Sequence, residues 1–179
     1  MLDREKALNV LLYVAQQRGK IDKMGLFKSV YFAERHHLVN YGTPMLGDEF
    51  TRMDNGPVPS LICDMVKAVQ GILKGQITEK EVPALKDGFN VAAGYLIIPK
   101  KAPDMDFFSK SDLESLTYGL AETKGLSFKE ISDKSHDSAW EQTNQNRPIP
   151  VLDIAKAGGA DEHYLAYLAE VLEAEQAFR

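Results

Sequence analysis

A chain of 179 residues, 44% hydrophobic and 26% charged, has the composition of a soluble globular protein, and its length suits one domain with a proper core better than two thin ones. Its longest apolar runs, such as Tyr95 to Pro99, fall far short of the roughly 20 residues needed to cross a bilayer, which excludes a membrane-spanning class. The net charge of −5 is concentrated late: residues 1–108 hold 14 Lys+Arg against 13 Asp+Glu, and residues 109–179 hold 7 against 13. Free nucleic acid is repelled by that last third, which reads either as a solvated acidic face or as a surface for a basic protein.

The N-terminal run Met1-Leu2-Asp3-Arg4-Glu5 places acids where a signal peptide needs a basic and then an apolar region, and the lone Cys63 has no internal disulfide partner. Both point to a cytoplasmic protein. The first expected helix covers about residues 3–18, where Leu8, Leu11, Leu12 and Ala15 recur at helical spacing between an Asp3 N-cap and a Gly19 C-cap. Asp22 opens a second, amphipathic helix with Leu26, Val30, Phe32, Ala33, His37 and Leu38, stopped by Gly42-Thr43-Pro44. Leu46 to Met53 alternates imperfectly around Phe50 and Thr51, which predicts a short strand ended by Asp54-Asn55-Gly56-Pro57. A third helix follows with Pro59 in its first turn and Leu61, Ile62, Met65, Val66, Val69 and Leu73 inward as far as Gly75; Cys63 is a small buried or half-buried residue within it.

From Gln76 to Pro103 the period changes. Gly88 to Val91 and Tyr95 to Ile98 read as a hairpin around Ala92-Ala93-Gly94, which joins the strand near residue 50 in a small antiparallel sheet. Ser111-Asp112-Leu113-Glu114 reads as a capping box opening a helix to about Lys124, and Ser127-Phe128-Lys129-Glu130 as a second box opening a short helix to about Lys134. Ser138 to Thr143 predicts a helical turn, Asn144 to Pro148 a polar stretch, and Asp161 to Ala177 a last helix with Tyr164, Leu165, Leu168, Val171 and Leu172 inward. The expected fold is α+β and mainly helical: a single domain over residues 1–179 with about six to eight helices and a small antiparallel sheet.

Catalytic patterns are sparse. Ser135-His136-Asp137 has the residue types of a hydrolytic triad, but sequence neighbours radiate apart and cannot hydrogen-bond in series. The alternative is that Ser135 or Asp137 caps the next turn while His136 packs beside Trp140. Glu34 and His37 have the Glu-x-x-His spacing of di-iron bundles without a second copy, so His37 reads as a hydrogen-bonded, partly buried histidine and Glu34 as solvated. No Gly-rich phosphate loop or Cys/His cluster occurs, and Asp48-Glu49 and Asp161-Glu162 read as surface acids, so no catalytic residue, metal or cofactor is expected. Gly125 to Ser132 resembles the start of a helix-turn-helix, yet Ser135 to Asn146, the would-be recognition segment, carries Asp137 and Glu141 and no Lys or Arg. A DNA-binding regulator is therefore the second reading, and an unrecognised hydrolase or metal enzyme the third.

Lys28-Ser29-Val30-Tyr31-Phe32-Ala33, His37-Leu38, Tyr41-Gly42 and Pro44, followed by Gly56-Pro57-Val58-Pro59, resemble the signature of the Panacea domain, the family of SocA-like antitoxins and phage-associated GepA-like proteins. Leu126-Ser127 through Ile131, Ser135-His136 and Trp140 are similar to that domain's second motif, so the resemblance covers roughly residues 5–145. Relatives often carry aromatic residues before the Gly-Pro-Val turn, where this chain has Met53-Asp54-Asn55, and the segment after about residue 147 has no counterpart in the motif. The resemblance implies a mainly helical antitoxin that binds and neutralises a protein toxin encoded nearby, without catalysis; delivery of the toxin to a Clp-type protease is associated with the family. The expected toxin surface combines Arg52, Asp54 and Pro57 at the turn with His136 and Trp140, and Trp140 is read equally as a core residue.

Overall fold

A computed structural model describes residues 3–177 and contains, among them, nine α-helices and two small antiparallel sheets. The first helix, α1 (Arg4–Arg18), starts where the Asp3 carboxylate accepts the amides of Glu5 and Lys6, and stops at Gly19. A two-residue strand, β1 (Ile21–Asp22), leads into α2 (Lys23–Tyr41), whose N-terminus is capped by the Asp22 side chain on the Gly25 amide. Gly42, in the left-handed region at φ +70°, closes α2 by donating its amide to the Leu38 carbonyl.

The amphipathic stripe expected of α2 is not what the fold uses. Residues 25–34 are buried without a break, polar Lys28, Ser29 and Glu34 included, so the helix is the centre of the molecule and has no wet face in that half. Around it pack α1, α5 (Lys110–Thr123), α6 (Phe128–Ser135) and α8 (Val151–Ala157). One apolar core runs through the described residues from Ala7 to Leu168 and includes Tyr31, Phe32, Phe50, Leu61, Leu116 and Ile154.

The strand near residue 50, β2 (Phe50–Met53), pairs with β3 (Gly56–Pro59) in a hairpin turned by Asp54-Asn55, with Arg52 opposite Pro57 and Met53 opposite Gly56. The expected turn at Gly56-Pro57 is thus a strand. Its prolines are tolerated because β3 pairs on one side only, whereas β2 also exchanges backbone hydrogen bonds with residues 146–149. The second hairpin, β4 (Phe89–Ala92) and β5 (Leu96–Pro99), joins β1 in the order β1-β5-β4 and does not join β2, because β1 and not the residue-50 strand covers the free side of β5.

Helix α3 (Ser60–Val69) has Pro59 as its N-cap residue and ends before the expected Gly75, leaving Leu73 exposed. Three short elements have no counterpart in the expected order: α4 (Val82–Gly88), a 3-10 turn (Met105–Phe107) and α8. The capping box of α5 is Ser109 with Asp112, two residues earlier than read, while Ser127 and Glu130 box α6 as expected. The short α7 (Ser138–Gln142) and the last helix, α9 (Glu162–Ala177), stand where the sequence placed them.

Helices α2 and α5 cross at Gly119. A Cβ there would lie 2.8 Å from the Ala33 amide nitrogen and closer still to the Ser29 carbonyl oxygen, both backbone atoms of α2 that cannot swing away. Gly119→Ala is expected to lower the unfolding free energy by about 3 kcal/mol despite the better helix propensity of alanine, as read from urea denaturation; an unchanged midpoint would show that the crossing has slack.

Candidate functional site

The residues singled out for partner binding come from two segments far apart in the chain, and the fold brings them together. Arg52, on β2, packs its guanidinium 4.2 Å from the Trp140 ring centroid and donates from Nε to the Trp140 carbonyl at 3.1 Å. The Trp140 indole donates from Nε1 to the Met53 carbonyl at 2.8 Å. The His136 ring stacks on the same indole with centroids 3.7 Å apart and planes within 6°. Asp54, exposed at the hairpin tip, accepts from the Gln145 amide at 2.6 Å, and the Gln145 carbonyl oxygen accepts from Arg52. Trp140, His136 and Arg52 are all half-buried, so the stack is packed on one side and open on the other.

Asp137 fixes the corner that carries Trp140. One carboxylate oxygen caps α7 by accepting the amides of Ala139 and Trp140, and the other accepts from the Tyr31 hydroxyl and from Arg35, both at 2.8 Å. Burial and the neighbouring Asp137 charge raise the Tyr31 phenol above its ordinary range, so it stays a donor. Residues 135–137 therefore do not form a relay. The Ser135 hydroxyl is buried and donates to the Ser132 carbonyl at 2.9 Å, His136 lies on the indole, and Asp137 is occupied by Tyr31 and Arg35. The helix-turn-helix reading loses its recognition helix as well, since α7 has five residues and Glu141 as its charged residue.

Pro57 is buried and acts through its carbonyl, which accepts from the Lys28 ammonium at 2.5 Å. Lys28 is 1% exposed, and among the described residues no carboxylate stands within ion-pairing reach. Burial pushes its pKa down to about 7, and burial, with Lys28 second, also lowers the His136 imidazole. Gly56, the first residue of β3, lies against Lys28 and Ser135 at φ +98°, where a Cβ would come within 2.9 Å of Lys28 Nζ and closer to Ser135 Oγ, so a side chain there would be strained and crowded. Val58 beside it is half-buried.

The remaining motif residues build the scaffold. Tyr31, Phe32 and Leu38 are fully buried, His37 binds the Thr43 carbonyl through Nδ1 at 2.7 Å, Tyr41 is exposed with its hydroxyl on Glu114, and Tyr164 donates to the Leu38 carbonyl beside Gly42. Glu34 is not solvated: it is buried, and its two oxygens accept the amides of Met45 and Leu46 at 3.1 Å. Asp48 is not a surface acid either, because it is buried and caps α3 by accepting the amides of Leu61 and Ile62. Burial raises Glu34 to about 7 and Asp48 to about 6 against the opposing pull of those amides. Both carboxylates line a cleft of about 700 Å³ with Pro44, Phe50, Ile149 and Ile154. Sequence reading gave Gln145 and the motif residue Lys28 no role at the site and did not foresee this cleft, while its reading of Asp137 as a cap of the next turn holds.

Among the described residues no group of three or more His, Cys, Asp or Glu could hold a metal ion, and no helix is long and apolar enough to cross a membrane. A family model described as antitoxin SocA-like, Panacea domain, matches residues 26–141, from the buried start of α2 to α7 and therefore both halves of the stack. No curated protein and no solved structure matches the chain.

The buried titratable groups set an unusual pH profile. Glu34 and Asp48 titrate higher in the native state than the unfolded values of about 4, so the native state holds the extra protons up to about pH 7 and stability falls as pH rises through that window. Lys28 titrates lower than its unfolded value of about 10.4, so above about pH 7 the unfolded chain holds the extra proton and stability rises with pH. Urea unfolding at about pH 5, 7 and 9.5 is expected to give its minimum near pH 7, with an upper limb rising by about 3 kcal/mol that Lys28→Met abolishes. An upper limb that survives in Lys28→Met would assign it to another group.

Proposed function

The chain belongs to the family of SocA-like antitoxins that carry the Panacea domain, and from that premise we propose that it neutralises a cognate protein toxin by binding it directly. The reading takes residues 1–179 as one Panacea-like domain working in the cytoplasm, with the acidic helix 161–177 folded against the matched segment, and gives it no catalytic step. The observation that carries the contact surface is the Arg52–Trp140–His136 stack: both of its strands of sequence fall within the matched segment, and a hydrogen-bonded frame holds it half open. Arg and Trp dominate interface energetics because each desolvates a large, stiff area at small entropic cost, and here Asp137 and Gln145 have already fixed their geometry. Many toxins that act on nucleic acid are basic, and the acidic last third of the chain would speed encounter with such a partner. Transfer of the captured toxin to a Clp-type protease is the second stage of the proposal.

Co-expression with the product of the adjacent open reading frame tests the first stage by growth rescue and co-purification. Rescue with a stable complex supports it, whereas a harmless neighbour that does not bind turns attention to promoter binding, whose affinity would fall steeply with salt. Within a complex, Trp140→Ala and Arg52→Ala are each expected to weaken toxin binding by about 30-fold, roughly 2 kcal/mol, with circular dichroism unchanged. Loss of the fold in Trp140→Ala together with wild-type binding by Arg52→Ala would make the stack a structural prop.

A further inference from the structure

The cleft at the base of β2 carries chemistry that the stack does not use. Three carboxylates, Glu34, Asp48 and Glu49, line it, and no Lys or Arg does, while its walls include Ile149, Ile154 and Leu172. At about 700 Å³ it has the size of a small-ligand site. Glu34 spends two of its roughly four acceptor positions on the Met45 and Leu46 amides, whereas Asp48 is taken up by the amides of Leu61, Ile62 and Glu49, so the capacity for a further donor lies with Glu34 and the exposed Glu49. Carboxyl groups beside apolar walls, with no Lys or Arg lining the cleft, suit a positive head on an aliphatic stem, whose charge would also draw the proton off Glu34.

We infer that this cleft receives an alkylguanidinium group and that, on the toxin-binding reading on which this assignment rests, the group is an arginine side chain of the bound partner. A guanidinium suits it better than an ammonium because it is more weakly hydrated and offers planar donors to two carboxylates at once. A metal ion is the poorer fit, since among the described residues no group of three or more His, Cys, Asp or Glu could hold one. Placement favours a protein as the source. Phe50 lines the cleft and Arg52 of the stack is two residues further along the same strand, about 7 Å at the usual rise, so stack and cleft lie within the span of a single protein partner.

The probe is N-butylguanidinium, titrated into the full chain and followed by amide NMR shifts of Met45, Leu46 and Leu61. Saturable shifts at these three amides, absent with pentanol and weakened at least 10-fold by Glu49→Lys, support the site; Glu49 is exposed and accepts none of the capping amides, so this variant should fold. No saturable shift, or equal binding to Glu49→Lys, overturns it. With a toxin in hand, displacement of the probe by the toxin supports the arginine assignment. A toxin that binds in a Trp140-dependent way yet leaves the probe in place overturns that assignment while toxin binding stands. If the adjacent gene product does not bind at all, the failure lies with the antitoxin reading, and the titration on the isolated chain alone decides whether the cleft takes a guanidinium.

Discussion

A helix with no solvent face must satisfy from within the protein every polar group it carries, and the first half of α2 is such a helix. Its polar side chains are therefore the places where peripheral segments are tied to the centre. Lys28 holds the β3 carbonyl of Pro57, Ser29 bonds Thr123 at the end of α5, Tyr31 holds Asp137 at the start of α7, and Glu34 holds the loop at Met45 and Leu46. Each tie lands on a loop or an element end, where the chain alone would leave an unpaired backbone group or a loose corner. Hairpin, corner and cleft take their positions from one rod.

That arrangement explains why local signals were legible and long-range ones were not. Caps are written within four residues, and Asp3, Asp22, Gly42 and the Ser127–Glu130 box could be read directly. Strand β3 could not, because two prolines in four residues argue for a turn unless it is known that one side of the strand stays unpaired. Glu34 and Asp48 look like surface acids for a related reason: the amides that make their burial tolerable are 11 to 14 residues away in the chain. The amphipathic reading of α2 failed because its polar residues resemble a wet face until their internal partners are known. Helices α4 and α8, each seven residues long, the one with Pro83 in its first turn and the other with Pro150 as its N-cap, offer too few turns for a period to register. Of the site, the sequence pointed to the two segments and to the His136–Trp140 contact, while the roles of Lys28 and Gln145 emerge only in three dimensions.

The same ties give the family motif a physical meaning. Gly56 is required by a positive φ and by the approach of Lys28 and Ser135, Tyr31 by Asp137, and Gly42 by the end of α2 with Tyr164 above it. Most motif positions thus build the platform. The hairpin tip differs from these positions in being exposed at Met53, Asp54 and Asn55.

The stack joins residues 88 apart in the chain, Arg52 and Trp140. During synthesis the hairpin leaves the ribosome well before α7 exists, and the indole that completes the surface arrives only after α5 and α6 have been made. A nascent or truncated chain that stops short of α7 therefore displays a bare hairpin and no stack. The stack thus forms late in translation and all at once, so its supply follows chains made through α7 and not chains merely begun.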